Sequence, residues 1–229
     1  MGYKNESVGS FKITSSTFTL TSGSEKLTLG DIKPNANFTE LTDLIQTFTS
    51  AGKAGTAYVY LTKESAEEFE LTPGWYDNLD SDCETPMNDV EIPYTQGYVV
   101  KSQDGSGAEL TFAGSVKTTE TEIPVGGFTI TANVTPVNLT LGDIKPNANF
   151  TELTDLIQTF TPAGKAGTAY VYLTKESAEE FELTPGWYDN LDSDCETPLN
   201  DVAIPSGSGF VVKSADGAGA TLTLPSPLK

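Results

Sequence analysis

The chain has 229 residues, carries 32 Asp and Glu against 13 basic residues for a formal net charge of −19, and contains no His. All thirteen basic residues are Lys. Without His the chain cannot form a Ser-His-Asp triad or an imidazole metal site, and without Arg it lacks a bidentate phosphate clamp. The negative charge repels nucleic acid, and no apolar run reaches the roughly 18 residues of a membrane helix. We therefore predict neither a nucleic-acid partner nor membrane insertion.

The second half of the sequence nearly repeats the first. The 86 residues from Leu27 to Phe112 match those from Leu139 to Leu224 at an offset of 112, with eleven mismatches. Upstream, Phe18–Thr21 aligns with Phe128–Thr131 at an offset of 110, so the second copy is expected to carry two extra residues. The period far exceeds the roughly 20–50 residues of solenoid repeats, so each copy is expected to have its own core. The sequence predicts two tandem domains, 1–116 and 117–229.

The mismatches between the copies are concentrated in one stretch. Ten of the eleven lie between Met87 and Phe112 and their counterparts, and the other is Ser50 against Pro162. The densest group pairs Glu91, Tyr94, Thr95, Gln96 and Tyr98 with Ala203, Ser206, Gly207, Ser208 and Phe210. This pattern is typical of drift in an exposed loop. It also allows the alternative that the loop at Tyr94 contacts the other copy or a partner.

Alternating apolar and polar residues predict the first strands of each copy. In the first copy these strands are Phe11–Thr14, Phe18–Thr21 and Leu27–Ile32. The period then changes, because Leu41, Leu44, Ile45 and Phe48 follow helical spacing. Asn37 and Glu40 have the spacing of a capping box ahead of this predicted helix.

The remaining elements are predicted from residue type and from turn residues. Ala57–Leu61 reads as a strand, and Thr62 is positioned to cap a short helix over Lys63–Glu70, with Ala66 and Phe69 facing inward. The later strands are expected at Trp75-Tyr76, Gly97–Lys101 and Glu109–Phe112. The predicted fold class is α+β and β-rich: two tandem copies of about 110 residues, each mainly short antiparallel strands with two helices.

An acidic segment follows the Trp-Tyr pair in each copy and is the candidate metal site. Its carboxylates are Asp77, Asp80, Asp82 and Glu84 in the first copy and Asp189, Asp192, Asp194 and Glu196 in the second. Calcium binds oxygen-rich flexible loops of this kind, although the spacing departs from an EF-hand. The alternative is a solvated acidic loop without an ion. We therefore predict no cofactor, and calcium is the ion to test.

Aromatic residues beside these loops are the candidate ligand-binding residues. Trp75, Tyr76, Trp187 and Tyr188 could stack on a sugar ring, as aromatic faces do in many carbohydrate sites, and Tyr94 lies in the divergent loop. The alternative for each Trp is a place in the core of a small β domain. One Cys per copy, Cys83 and Cys195, allows a bridge only if the two acidic loops meet.

The sequence gives little sign of catalysis. A carboxylate pair can hydrolyse a glycoside, but with 32 acidic residues some pair always lies close, so this signal is unspecific. A domain of about 110 residues also leaves little room for a deep cleft. We predict that the protein is not an enzyme.

The pattern Gly-Trp-Tyr, followed by Ile-Pro-x-x-x-Gly-[Tyr/Phe]-Val-Val, occurs in both copies. It comprises Gly74–Tyr76 with Ile92–Val100, and Gly186–Tyr188 with Ile204–Val212. These residues resemble modules of secreted or surface tandem-repeat proteins of gut bacteria. The resemblance implies an exported bacterial protein of the cell surface or extracellular space, whose signal peptide is not part of this chain.

We therefore expect a non-enzymatic binding or structural protein with a protein or glycan surface ligand, as in adhesion. A carbohydrate-binding tandem module is the alternative, and a carboxylate-based glycosidase is a further one. The two repeats are expected to pack on each other, and a second site raises the effective concentration of binding.

Overall fold

A computed structural model describes residues 2–17, 26–49, 51–104, 107–215 and 219–228. Strands predominate in the described residues, and the pairings between the strands are antiparallel. The elements are β1 (Gly2–Ser7), β2 (Phe11–Thr14), β3 (Lys26–Thr28), β4 (Lys33–Pro34), β5 (Leu44–Phe48), β6 (Ala54–Leu61), α1 (Lys63–Glu68), β7 (Gly74–Asp77), β8 (Glu91–Pro93), β9 (Tyr98–Lys101), β10 (Glu109–Gly114), β11 (Thr121–Val125), β12 (Phe128–Ala132), β13 (Leu139–Thr140), β14 (Lys145–Pro146), β15 (Leu156–Phe160), β16 (Ala166–Leu173), α2 (Lys175–Glu180), β17 (Gly186–Asp189), β18 (Ala203–Ile204), β19 (Gly209–Lys213) and β20 (Ala220–Leu224).

The strands of each half of the chain form the same set of sheets. The first half contains a five-stranded sheet in the order β2-β9-β5-β6-β7, a three-stranded sheet β1-β10-β4 and a two-stranded sheet β3-β8. The second half contains β12-β19-β15-β16-β17, β11-β20-β14 and β13-β18 in the same orders. Each sheet therefore takes its strands from one half of the sequence.

The five-stranded sheet of each half is covered on both faces. Because side chains alternate along a strand, Trp75 faces the larger core while the next residue, Tyr76, faces the other side. On the larger core side, Ile45 and Trp75 pack with Leu110 of the three-stranded sheet. On the opposite side, Tyr76 packs in a small cluster with Ala66 of α1.

Most of the predicted strands are confirmed. Phe11–Thr14 is β2, Ala57–Leu61 lies within β6, and Trp75-Tyr76 lies within β7. The last two predicted strands correspond to β9 and β10. The predicted strand Leu27–Ile32 is shorter than expected, since a single 3₁₀ turn replaces it from Leu29 to Asp31. Phe18–Thr21 lies outside the described residues.

The helix predicted from Leu41, Leu44, Ile45 and Phe48 is wrong, because Leu44–Phe48 forms β5. Apolar residues at adjacent positions of a strand buried on both faces imitate the helical spacing. Ile45 is fully buried in the larger core, whereas Leu44 packs against the cluster on the opposite face. Leu41 is 47% exposed at a φ of 53°, outside any helix.

The predicted capping box at Asn37 and Glu40 is also wrong, because no helix follows it. The side-chain amide of Asn37 donates to the carbonyl of Gly107, 3.1 Å away. One carboxylate oxygen of Glu40 accepts from the backbone N–H of Thr62 at 2.7 Å. Glu40 therefore ties its loop to the start of α1.

The short helix is confirmed as α1, Lys63–Glu68, and recurs as α2. The hydroxyl of Thr62 accepts from the backbone N–H of Ser65 at 3.3 Å, which is the expected N-cap bond. Ala66 is fully buried as predicted, but Phe69 is 63% exposed. The inward placement of Phe69 is wrong because the helix ends before it: Phe69 is the C-cap.

Strand pairing corrects the alignment of the two copies at their start. Phe11 of β2 lies opposite Lys101 of β9, and Phe128 of β12 lies opposite Lys213, the counterpart of Lys101. Phe11–Thr14 therefore takes the place that the sequence alignment gave to Phe18–Thr21. Between this strand and the repeated Leu-Thr-Leu the first copy is the longer one, since Phe11 precedes Leu27 by 16 residues and Phe128 precedes Leu139 by 11.

Candidate functional site

The two tryptophans form the centre of the cores. Trp75 and Trp187 are 0% exposed. Each indole N–H donates to a backbone carbonyl, that of Ile32 at 3.0 Å and that of Ile144 at 3.1 Å. A buried indole with a satisfied N–H is typical of core packing, so the burial favours the core alternative for both residues.

Tyr76 and Tyr188 are likewise fully buried, on the opposite face of their sheets. Their hydroxyls donate to the carbonyls of Thr72 and Thr184. These bonds fix the chain that follows each short helix. The four aromatic residues predicted to bind a ligand thus lie inside the protein, without an exposed ring face.

A tyrosine that packs on each tryptophan is partly exposed, unlike the four residues above. Tyr172 packs edge-on against Trp187 with a centroid distance of 5.1 Å and is only partly buried. It lines a pocket of about 490 Å³ that also includes Asn147, Glu152 and Lys175. The first half places Tyr60 against Trp75 at the same 5.1 Å. The pocket therefore combines one ring with amide, carboxylate and ammonium groups.

Hydrogen bonds to a carboxylate hold this site in both halves. In the first half, Glu40 accepts from the N–H of Thr62 and from the hydroxyl of Ser65, the latter at 2.6 Å. Glu152 accepts from the equivalent groups of Thr174 and Ser177 in the second half. These bonds orient both oxygens of each carboxylate and join its loop to the start of the short helix.

The same carboxylates influence the adjacent phenols. Burial, and secondarily the charge of Glu152, raises the pKa of Tyr172 above its ordinary value. Burial and Glu40 raise the pKa of Tyr60 in the same way. Both hydroxyls therefore stay protonated near neutral pH and are able to donate a hydrogen bond to a ligand.

The acidic loops use part of their carboxylates to close their own turns. In the first loop, Asp77 accepts from the N–H of Leu79 at 2.9 Å, and Asp80 accepts from Thr85 at 3.1 Å. Asp189 and Asp192 repeat these bonds in the second loop. Asp82, Glu84, Asp194 and Glu196 are exposed. Within the described residues, no group of three or more His, Cys, Asp or Glu is arranged to hold a metal ion.

Both cysteines are free and buried, so they do not form the bridge that the sequence left open. Each lies behind its acidic loop with a left-handed φ, 52° for Cys83 and 51° for Cys195. Burial raises the pKa of the Cys83 thiol, and the nearby Asp80 and Asp82 raise it further. The thiol is therefore a poor nucleophile near neutral pH.

The divergent loops lie where the two halves meet, a surface that we call the junction. The Tyr94 ring is 3% exposed within the core of the second half, and its hydroxyl donates to the carbonyl of Val134 at 2.8 Å. The N–H of Gly97 donates to the carbonyl of Ile130, also at 2.8 Å. Tyr94 is therefore a junction residue, whose ring is closed to an external ligand.

The junction has approximate two-fold symmetry. The hydroxyl of Thr14 donates to the carbonyl of Gly207 at 2.9 Å, and that of Thr131 donates to the carbonyl of Thr95 at 2.8 Å. The two bonds are equivalent, because Thr14 corresponds to Thr131 and Thr95 corresponds to Gly207. At its centre, Ile13 and Val99 of one half pack with their counterparts in the other half, Ile130 and Val211.

A buried carboxylate breaks this symmetry on one side. Glu6 has a side chain 3% exposed and pairs with Lys4 at 2.6 Å and Lys12 at 2.7 Å. Lys4 also donates to the carbonyl of Ser206 in the second half at 3.1 Å. Strand pairing places Glu6 opposite Leu110, where the second half has Ile123 opposite Leu222. The ion pairs are thus specific to one copy.

The sequence reading missed Tyr60, Tyr172 and the Glu6 cluster. A signal for the tyrosines was present, since Tyr60 is two residues from Tyr58 on a predicted strand and so shares its face. Glu6 lies in a segment that carries no repeat signal, because the two copies differ there. Its role depends on contacts made more than 190 residues away in the chain, such as that of Lys4 with Ser206.

Comparisons of this chain with protein-family models, with curated proteins and with solved structures found no match. In the described parts of the chain, no helix has the length and hydropathy needed to cross a membrane.

Proposed function

We propose that the chain is a non-enzymatic binding and structural protein of the bacterial cell surface or extracellular space, built from two near-identical modules, 1–116 and 117–229. The observation that carries the proposal is the position of the stretch in which the two copies are nearly identical. Residues 27–86 and 139–198 differ at a single one of 60 positions. This stretch includes the side chains around Tyr60 and Tyr172, whereas most differences lie later, several of them at the junction.

Such a distribution supports a duplicated binding surface. Two identical outward-facing sites on one chain convert a second binding event into an intramolecular one, which raises avidity without new contacts. The junction fixes the two modules relative to each other, because Tyr94 enters the core of the second half and Gly97 bonds its backbone. A net charge of −19 keeps a surface-exposed chain soluble.

The ligand class that this surface suits best is a glycan, which makes the protein a carbohydrate-binding tandem module. The pocket at Tyr172 offers one ring face and a phenol donor beside Asn147 and Lys175. Sugar rings stack their C–H faces on aromatic rings, and their hydroxyls bond to nearby polar groups. Trp75 and Trp187 pack edge-on against Tyr60 and Tyr172 from the core side.

Replacement of both tyrosines, Tyr60→Ala with Tyr172→Ala, is expected to abolish retention of the protein on immobilised glycans that retain the wild type. Either single variant should show retention weakened by about 10²-fold or more, because avidity is lost. A panel of immobilised surface glycans, read by biolayer interferometry, measures this. Glu91→Ala, an exposed change outside the pocket, is the matched control and should bind as the wild type does. Glycans retained equally by the double variant would contradict the proposed site.

A carboxylate-based glycosidase is the less favoured function, because Glu40 and Glu152 hold their oxygens in hydrogen bonds to backbone and hydroxyl groups. Release of reducing ends from glycans that bind, lost in Glu40→Gln with Glu152→Gln, would favour it over the non-enzymatic proposal.

We also propose that the protein works without a resident cofactor. Millimolar calcium is then expected to leave the melting temperature unchanged, because an ion stabilises only a fold that binds it. Binding at about 100 times Kd would instead add about 2.7 kcal/mol of stability. Differential scanning calorimetry on the wild type and on Asp80→Asn with Asp192→Asn makes the comparison. A calcium-induced rise that the double variant loses would identify the acidic loops as ion sites.

A further inference from the structure

A cleft at the junction is a second candidate site, distinct from the pocket at Tyr172. Its volume is about 450 Å³, within the range of small-molecule sites. Both halves line it: Phe11 and Ile13 come from the first, and Phe160, Ile204 and Phe210 from the second. The Phe11 and Phe160 rings lie 6.5 Å apart, tilted by 37°.

The walls of the cleft offer no free charge among the residues described. Lys12 is the charged residue of the lining, and its ammonium group is held by Glu6 at 2.7 Å and by the carbonyl of Ser7 at 2.9 Å. The hydroxyl of Thr159 donates to the carbonyl of Thr168, and that of Thr161 accepts from the N–H of Lys165. A ligand with a charge would lose hydration there without gaining a partner.

Four of the eleven differences between the copies lie on these walls. Ala203, Ser208 and Phe210 line the cleft, and so does Pro162, the one difference found between residues 139 and 198. Their counterparts in the first copy are Glu91, Gln96, Tyr98 and Ser50. Each change in the second copy removes a charge, an amide or a hydroxyl. The cleft is therefore less polar, and at two positions less filled, than the first copy's residues would make it.

We propose that this cleft binds one uncharged small molecule with an aromatic or alicyclic ring, packed against the pair of rings of Phe11 and Phe160. The ammonium group of Lys12 is already bound to Glu6 and to the carbonyl of Ser7, and the net charge of −19 repels an anion. The described lining supplies no carboxylate for a cation. The volume of about 450 Å³ suits a ligand of two or three rings. The site is independent of the pocket at Tyr172, since the two share no lining residue.

The test uses N-phenyl-1-naphthylamine, an uncharged fluorescent probe, titrated into the full chain. We expect a saturable rise in fluorescence with one probe per chain. Ala203→Glu with Ser208→Gln restores the residues of the first copy and should weaken probe binding at least tenfold. Ala203→Glu alone, at an exposed position, should weaken it in the same direction without a change in near-ultraviolet circular dichroism.

The reciprocal variant, Glu91→Ala with Gln96→Ser, changes the corresponding positions in the first copy and should leave probe affinity at the cleft unaltered. Absence of any fluorescence rise with the wild type would overturn the proposal. So would a rise that persists unchanged in Ala203→Glu with Ser208→Gln, because the probe would then be bound elsewhere. Loss of the rise on addition of a glycan retained through Tyr60 and Tyr172 would contradict the independence of the two sites.

Discussion

Replacement of Trp187 by Ala is expected to lower the free energy of unfolding by about 3–5 kcal/mol, the range for removing a buried Trp. The ring is fully buried, with Phe150 edge-on at 5.8 Å and Tyr172 at 5.1 Å. Its removal opens a cavity and leaves the carbonyl of Ile144 without its donor, which adds to the cost. Urea unfolding followed by circular dichroism measures the change.

Trp75→Ala is the matched variant in the first half and should cost a similar amount, because its contacts are nearly the same. Glu91→Ala at an exposed position should change stability by less than about 0.5 kcal/mol. A Trp187→Ala protein as stable as the wild type would contradict the core role of the indole.

Gly209→Ala with Gly97→Ala is expected to force the two halves apart. A Cβ at Gly209 would lie 2.2 Å from the carbonyl oxygen of Ile13, and one at Gly97 would lie 2.8 Å from the backbone nitrogen of Thr131. Because these neighbours are backbone atoms, the strands must move, and each change should cost about 1–3 kcal/mol. The reciprocal bonds of Thr14 and Thr131 would be weakened with them.

Scanning calorimetry reports this loss as a lower melting temperature, by about 2–4 °C for each kcal/mol in a chain of this size. Gly127→Ala is the matched control, since its Cβ would meet its nearest neighbour, the carbonyl oxygen of Ser214, at 3.9 Å. A melting temperature for the double variant equal to that of the control would mean that the halves do not pack as described.

Local pattern was enough to predict most strands, because alternation reports directly on a strand with one buried face, as at Glu109–Phe112. It failed at Leu44–Phe48, where both faces of the strand are covered and adjacent apolar residues imitate a helix. It also failed at Phe69, whose exposure depends on where α1 ends. The N-cap at Thr62 was predictable because its hydrogen bond joins residues only three positions apart in the chain.

The candidate site was less predictable, because it depends on contacts between distant segments. The composition around Trp75 indicated an aromatic site, yet only the packing shows that Tyr60, and not the indole, reaches the surface. Glu40 was predicted to belong to a helix capping box, whereas its bond to Thr62 joins positions 22 residues apart. Contact of the Tyr94 loop with the other copy was one of the alternatives that the sequence left open, and the structure has this contact. The two-fold arrangement of the junction was not predictable, because it depends on where β2 and β12 lie in three dimensions.

We propose that the chain carries two equal binding sites on two fixed modules. Isothermal titration calorimetry with a glycan retained by the wild type tests it most directly, through the number of molecules bound per chain. We predict two equal sites in the wild type, one in either Tyr60→Ala or Tyr172→Ala, and none in the double variant. A single site per chain that neither tyrosine variant alters would contradict the account.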